Sequence, residues 1–444
     1  MEHLHFLSRT LASIPDLLAL HAAFPDRYPH LLASNSPSAQ SARFDILFAC
    51  PQQTLMHTDA EFLNKLDALW LHEKVAPTQT DLPFTGGWFL YLGYELASDI
   101  EPALHLPAAV DGLPVAFATR FVAAVIVDRI SGVVRIVCEK ESADCVDIIQ
   151  SDINQTANIE ASKKYQQPIR IADLLEDDSV TYLQHVDRIK RYILDGDVFQ
   201  VNLSRGWRTR LLADVSDAAL YWQLAKNNPG PFNALVTLGD SAIISSSPER
   251  LVEVRDNVIQ TRPIAGTRPR STDNNLDTEL SAELMKHPKE RAEHIMLIDL
   301  ERNDLGRICQ PGTVEVNELM VLESYQHVHH IVSNVRGRMR TGITPGDVIK
   351  AVFPGGTITG CPKVRCMQIL AELEQTGRGA YTGSLGYLNR DGSMDLNILI
   401  RTLVRHGKQL MFRAGGGIVA DSDPQHELAE TRAKAKGLVM ALKS

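Results

Sequence analysis

Residues 396–403 alternate in polarity. Leu396, Ile398 and Ile400 fall on one face, and Asn397, Leu399, Arg401 and Leu403 on the other. A period of two is that of a strand. After a turn at His406-Gly407-Lys408, a second strand is predicted over 409–414, running into Gly415-Gly416-Gly417. Residues 121–128 and 132–139 predict another hairpin, with Ser131-Gly132 at its turn. Residues 290–305 contain no Gly or Pro and follow Pro288, which predicts a helix. Asp423-Pro424 reads as an N-cap followed by Pro at the first helical position, opening a helix that runs to about Leu442. Residues 155–179 are polar and read as a connecting stretch. Strands mixed with long helices, without a regular βαβ rhythm, predict an α+β fold.

The 444 residues allow one large or two ordinary domains. The formal net charge of -9 argues against nucleic-acid binding and means that an anionic substrate needs a local positive site. No apolar run approaches the ~20 residues that span a bilayer. The start, Met1-Glu2-His3-Leu4-His5, lacks the basic and apolar regions of a secretory signal. Six irregularly spaced cysteines without a CxxC pair fit a reducing compartment. The expectation is a cytoplasmic protein that engages neither membrane nor nucleic acid.

Candidate chemistry lies mostly in the second half. Glu427, Glu430 and Lys434, spaced i, i+3 and i+7, share one helix face. They read either as an exposed Glu–Lys pair or as metal carboxylates one turn from an ammonium that meets an anion. Glu293 shares its predicted helix with Asp299, Glu301, Arg302 and Asp304. That helix reads as a solvated charged face or as the source of a second metal carboxylate. Arg401 interrupts an apolar strand, so it needs an internal carboxylate or a substrate carboxylate as partner. Gly356-Thr357-Ile358-Thr359-Gly360-Cys361-Pro362-Lys363 lacks the Gly-Lys-Ser/Thr of a P-loop. On a strand His327 and His329 share a face and His330 points away, which makes a three-histidine zinc site awkward. Neither a GxSxG elbow nor a nucleophilic-cysteine motif supports a glutaminase within the chain.

From Val180 to Leu442 the sequence resembles the chorismate-utilising family, which includes anthranilate, aminodeoxychorismate, isochorismate and salicylate synthases. The resemblance rests on Asp195-Gly196-Asp197-Val198-Phe199-Gln200-Val201-Asn202-Leu203-Ser204, Ser247-Pro248-Glu249-Arg250 and Pro263-Ile264-Ala265-Gly266-Thr267-Arg268-Pro269-Arg270. It continues through the Glu293 helix, His330-Ile331-Val332-Ser333, the 356–363 turn, Ile400-Arg401-Thr402, the glycine triplet and 427–434. It implies antiparallel sheets packed together with outer helices. It divides the chain into an N-terminal region, 1–155, and a chorismate-binding catalytic domain, 178–442. It implies Mg²⁺ held directly by Glu293 and Glu430, with Glu427 helping through water. Tyr381, Arg401 and the Gly415, Gly416 and Gly417 amides are implied as the enolpyruvyl carboxylate site. Thr357 and Lys434 are implied at the ring carboxylate, Glu249 and His330 in proton transfer, and Thr267 beside the reacting ring.

Position 200 separates members of the family. Isochorismate and salicylate synthases are similar in placing Lys there to activate water; Gln200 cannot act as that base, which favours ammonia as nucleophile. Ser41-Ala42-Arg43-Phe44-Asp45-Ile46 and Leu82-Pro83-Phe84-Thr85-Gly86-Gly87-Trp88 resemble the aminodeoxychorismate branch, which aminates C4. Leu31-Leu32-Ala33-Ser34 lacks the acidic residue common at a tryptophan-feedback site. Ala265, however, stands where some members of that branch carry a covalent Lys, and it matches the anthranilate pattern. The expectation is C4 amination. Ammonia would come from a separate glutamine amidotransferase subunit, and a downstream lyase would release p-aminobenzoate, a folate precursor. Anthranilate formation is the alternative, and an inactive scaffold that binds a glutaminase is the non-enzymatic one.

Overall fold

The computed structural model describes residues 4–34, 43–157, 165, 167–271, 273–324 and 328–443. Its strand pairings are antiparallel and join twenty strands into one sheet system, flanked by helices. The predicted α+β class, with antiparallel sheets, is what the chain adopts. Strands from both sides of 155–179 pair directly. Gly87–Leu92 lies between Ala116–Asp128 and Ser384–Asn389, and His30–Ala33 pairs with Phe232–Leu238.

The predicted hairpin forms between Ala116–Asp128 and Val134–Glu139, and Gly132 at its turn has φ +70. The helix expected over 290–305 runs Pro288–Gly306. The last helix runs Pro424–Leu442, and the Asp423 side chain accepts from the His426 N–H at 2.8 Å. The continuous strand expected over 396–403 does not form. Met394–Asn397 pairs with Arg250–Arg255 and Ser384–Asn389, whereas Thr402–His406 pairs with Ser241–Ser247 and Gln409–Ile418. The chain changes partners between them, and Arg401 takes φ +54 at the switch. Alternating polarity reports which residues are buried; it does not report which neighbour each half of the run pairs with.

Apolar faces of these sheets close over aromatic layers. His30 is buried among Phe89, Phe117 and Phe121, with ring centroids 4.3, 5.9 and 5.4 Å away. Burial pushes its pKa down to about 3, so it packs as a neutral ring.

A charged cluster lies deeper in the second half. Glu374 accepts from Arg378 at 2.7 and 2.9 Å and from Arg413 at 3.2 Å, and also from the Ser204 N–H and hydroxyl at 2.9 and 2.8 Å. Burial alone would raise its pKa; the Arg378 and Arg413 guanidiniums outweigh that and hold it below the usual value. Glu374→Gln leaves two guanidiniums short of a counter-charge and is expected to cost roughly 3–5 kcal/mol, read as the urea midpoint at pH 7. The depressed pKa makes this stabilisation complete above the ordinary carboxylate pKa and lost as pH falls through the folded value. The variant should therefore lose its deficit in acid.

Candidate active site

The glycine triplet continues the predicted strand. It lies inside the strand Gln409–Ile418, with Gly415 opposite Ser204, Gly416 opposite Leu203 and Gly417 opposite Asn202 on Gln200–Arg210. The missing side chains are what let other elements close in. A Cβ on Gly416 would stand 3.4 Å from Glu427 Oε2, 3.5 Å from Glu430 Oε1 and 3.7 Å from Lys434 Nζ. A Cβ on Gly415 would meet Tyr381 Oη at 2.7 Å, and one on Gly417 would collide with Gln200 Nε2. A bare stretch of strand thus forms a floor approached from several directions.

The helix Pro424–Leu442 delivers Glu427, Glu430 and Lys434 to Gly416 on one face, as their spacing predicted. Lys434 Nζ donates to Gly415 O at 3.0 Å and pairs with Glu430 Oε1 at 2.7 Å, their side chains 35% and 38% exposed. The Glu–Lys pair and the convergence on the strand are therefore both present. Glu427 is buried, which raises its pKa, and the Glu430 charge adds to the shift.

Glu293, on Pro288–Gly306, accepts from Gln200 Nε2 at 2.9 Å. Gln200 Oε1 is buried without a hydrogen-bond partner among the described residues. Glu293 therefore reaches the glycine strand through Gln200, while Glu427 and Glu430 reach it directly. Among the described residues no three His, Cys, Asp or Glu side chains close into a metal cluster. Mg²⁺ asks for less, commonly one or two carboxylates with water and substrate completing the octahedron. The Glu427 and Glu430 oxygens that meet at Gly416 are donors of the type such an ion takes, and Lys434 occupies Glu430 Oε1 in its place here.

Glu249 is buried, and its Oε1 accepts from Thr357 Oγ1 at 2.8 Å. Burial pushes its pKa up to about 7; the Thr357 hydroxyl, the Lys434 charge and the Ile264 N–H limit the rise. A carboxyl poised there can hold and give a proton near neutral pH. His330 Nδ1 stands 3.4 Å from Gly266 O. Burial, partly offset by that carbonyl, takes its pKa down to about 4, leaving a neutral imidazole. His329 turns the other way, to Ser324 Oγ at 2.7 Å and Asp277 Oδ1 at 3.1 Å, as strand alternation requires. Thr267 pairs with His330 through its backbone; its side chain, like His327, lies outside the described residues.

Arg401 is not a strand residue, contrary to expectation. Its backbone carbonyl accepts from the Ser246 N–H at 3.2 Å. Burial lowers the pKa of its guanidinium, against the opposing influence of Tyr381 and Glu430. No hydrogen bond or ion pair engages that guanidinium among the described residues. Tyr381 is buried and pushed up to about 12 by burial, which Arg378 limits.

Sequence reasoning missed the groups that support this floor. Glu95 Oε1 accepts from the Arg378 N–H at 2.7 Å and Asp111 Oδ2 from the Ala380 N–H at 3.0 Å. Two acids of the N-terminal region thus hold the loop that carries Tyr381. Glu301 and Asp304, read as part of a charged face, are buried instead. Lys363 pairs with Asp304 at 2.6 Å, and burial pushes Glu301 up to about 8, with the Asp304 charge adding to it. Asp299 and Arg302 keep the exposed pair at 3.1 Å. The i, i+8 spacing of Glu293 and Glu301, which puts both on one helix face, was the available signal.

Comparison with known proteins agrees with this architecture. The chorismate binding enzyme family matches residues 29–440. The anthranilate synthase component I-like protein of Synechocystis is 42% identical over 361 residues, 81% of this chain and 73% of that protein. Aminodeoxychorismate synthase component 1 of Klebsiella aerogenes is 36% identical over 453 residues, 98% of this chain and 95% of that protein. The crystal structure of anthranilate synthase component I from Streptococcus pneumoniae superposes with a TM-score of 0.79 at 30% identity, covering 91% of this chain and 93% of that one. The chain belongs to the chorismate binding enzyme family. It is a chorismate-utilising enzyme of the aminodeoxychorismate or anthranilate synthase component I type. Among the described residues no helix is long and apolar enough to cross a membrane.

Proposed function

We propose that this enzyme aminates chorismate at C4 to give 4-amino-4-deoxychorismate. The observation that carries the choice of nitrogen is Gln200. Its amide is fixed to Glu293 at 2.9 Å beside Gly417, where a base would be needed to activate water. An amide cannot take that proton; neutral ammonia needs no such base. The preference for C4 is supported by similarity along almost the full length of the Klebsiella aerogenes aminodeoxychorismate synthase component 1. It is also supported by Ala33 in place of an acid. Ala265 favours the second reading, anthranilate formation, because it offers no nucleophile at C2.

The residues divide the work by chemistry. Arg401 and Lys434 offset the two carboxylates of a dianion that a protein of net charge -9 would otherwise repel. Glu249 gives its proton to the departing C4 hydroxyl, which leaves as water. A proton lost from the attacking nitrogen restores Glu249. Thr357, donating to Glu249 Oε1, fixes which oxygen carries the proton. Glu293 and Glu430, with Glu427 through water, would hold Mg²⁺, which would supply Lewis-acid polarisation of the ring carboxylate.

Ammonia enters free or from a separate glutamine amidotransferase subunit. Burial raises the thiols of Cys50, Cys138, Cys309, Cys361 and Cys366, the opposite of an activated glutaminase nucleophile. A separate lyase then releases pyruvate and p-aminobenzoate.

Mass and NMR analysis of the product from chorismate, ammonium and Mg²⁺ tests the reading. Retained enolpyruvate with a 4-amino group is expected; anthranilate with pyruvate overturns it, and no turnover favours the scaffold. Calorimetric titration with Mg²⁺ tests the metal assignment: Glu430→Gln and Glu293→Gln should each weaken binding about tenfold or more, near 1.4 kcal/mol. Unchanged affinity in both would remove these carboxylates from the ion.

A further inference from the structure

Three successive backbone N–H groups, those of Arg378, Gly379 and Ala380, point at two buried carboxylates of the N-terminal region. Glu95 Oε1 accepts from the Arg378 N–H at 2.7 Å, and its two oxygens stand 3.2 and 3.1 Å from the Gly379 nitrogen. Asp111 Oδ2 accepts from the Ala380 N–H at 3.0 Å. In return the Tyr94 N–H donates to Gly379 O at 2.9 Å. Gly379 takes φ +57, and a Cβ there would collide with Asp111 Oδ2, so the carboxylate comes as close as only glycine permits. Among the described residues neither acid forms an ion pair. Two carboxylates taken out of water without a cation are a costly way to hold a loop. What a charged acceptor adds is direction, because it fixes one particular N–H.

The next residue along the chain is Tyr381. Its N–H donates to Arg378 O at 3.0 Å. The Arg378 guanidinium lies over both Tyr94 and Tyr381, 4.9 and 5.6 Å from their ring centroids. Tyr381 Oη lies 2.7 Å from the point a Cβ on Gly415 would occupy. The tyrosine is thus tied at its backbone and over its ring, and its hydroxyl ends at the glycine floor. A shift of the 378–380 backbone moves that hydroxyl.

We propose that Glu95 and Asp111 are positioning residues for substrate binding: they fix the 378–380 backbone so that the Tyr381 hydroxyl meets a carboxylate of chorismate beside Gly415. The inference rests on Tyr381 belonging to the enolpyruvyl carboxylate site. That carboxylate takes no part in bond making at the ring. It is held alike in the ground state and the transition state, so a looser grip on it changes KM and spares kcat. Affinity for the substrate then depends on the N-terminal region, although neither acid touches the substrate.

Glu95→Gln and Asp111→Asn keep the side-chain volume and remove the charged acceptor. At saturating ammonium and Mg²⁺ each should raise KM for chorismate about fivefold, the scale of one hydrogen bond. kcat should stay within about twofold of the parent. Tyr381→Phe should raise KM at least as much. In the Tyr381→Phe background Glu95→Gln should add little, because the hydroxyl it serves is gone. Circular dichroism selects whichever acid variant folds as the parent does. A merely structural role gives the opposite split, a lower kcat from lost folded enzyme at unchanged KM, and that result overturns the proposal. So does full additivity in the double variant. A KM below the parent value also overturns it, since the two charges would then only repel the dianion. If Tyr381→Phe leaves KM unchanged, the carboxylate site itself is misassigned and the positioning falls with it. If Tyr381→Phe raises KM and the folded acid variants do not, the positioning alone fails.

Discussion

Glu249→Gln lowers kcat by about 10²–10⁴-fold, the usual contribution of a positioned proton donor, while equilibrium binding of chorismate stays measurable. The amide keeps the volume and can still accept from Thr357 Oγ1, which is 2.8 Å from the carboxyl in the parent. It cannot give a proton. Because burial holds the Glu249 pKa at about 7, the parent should lose kcat as pH rises through that value and the acid form disappears. The residual activity of the variant should lack this limb. Stability moves in the opposite sense. A carboxyl with a raised folded pKa destabilises the fold progressively from its ordinary pKa up to its folded one. Glu249→Gln should therefore gain stability relative to the parent between pH 5 and 8 in urea melts. Full activity in the variant, or an identical pH limb, removes Glu249 from the proton step.

Arg401→Gly separates affinity from stability. Removal of the guanidinium should raise the Kd for chorismate about 30- to 100-fold, the 2–3 kcal/mol typical of a truncated buried charge contact. The fold should not suffer in proportion. Arg401 sits at φ +54, where an L side chain costs about 1–2 kcal/mol and glycine does not. The guanidinium is half-buried, and no hydrogen bond or ion pair engages it among the described residues, Glu430 acting on it only at longer range. Glycine adds unfolded-state entropy of roughly 0.5–1 kcal/mol, which offsets part of the gain. The expected result is a melting temperature at or slightly above the parent value with weak substrate binding. A large fall in melting temperature would show that Arg401 is a structural ion-pair residue instead.

The two substitutions also mark how far the sequence reaches. Helix 424–442 was legible because an N-cap, a proline and an i, i+3, i+7 spacing are local signals. They put Glu427, Glu430 and Lys434 on the face that the structure turns toward Gly416. The hairpin about Gly132 and the helix after Pro288 were legible for the same reason. Arg401 was found as a residue but misplaced as a strand position, because the exchange of sheet partners at 398–401 leaves no local trace. Glu95 and Asp111 were not found. Their partners, the backbone N–H groups of 378–380, lie far along the chain, and nothing near either acid announces the loop it holds. Glu301 and Asp304 looked like surface charges, since helical spacing alone does not say which side meets the sheet.

The sequence by itself determined the class of fold and the helix that carries Glu427, Glu430 and Lys434 on one face. These depend on periodicity, capping and residue type, which act over a few positions. Only the tertiary structure decided that the three glycines lie bare inside a strand that a helix approaches, and that Glu249 is buried enough to titrate near neutrality. Burial and close approach are sums over distant neighbours, and a chain acquires them only when its sheets have closed.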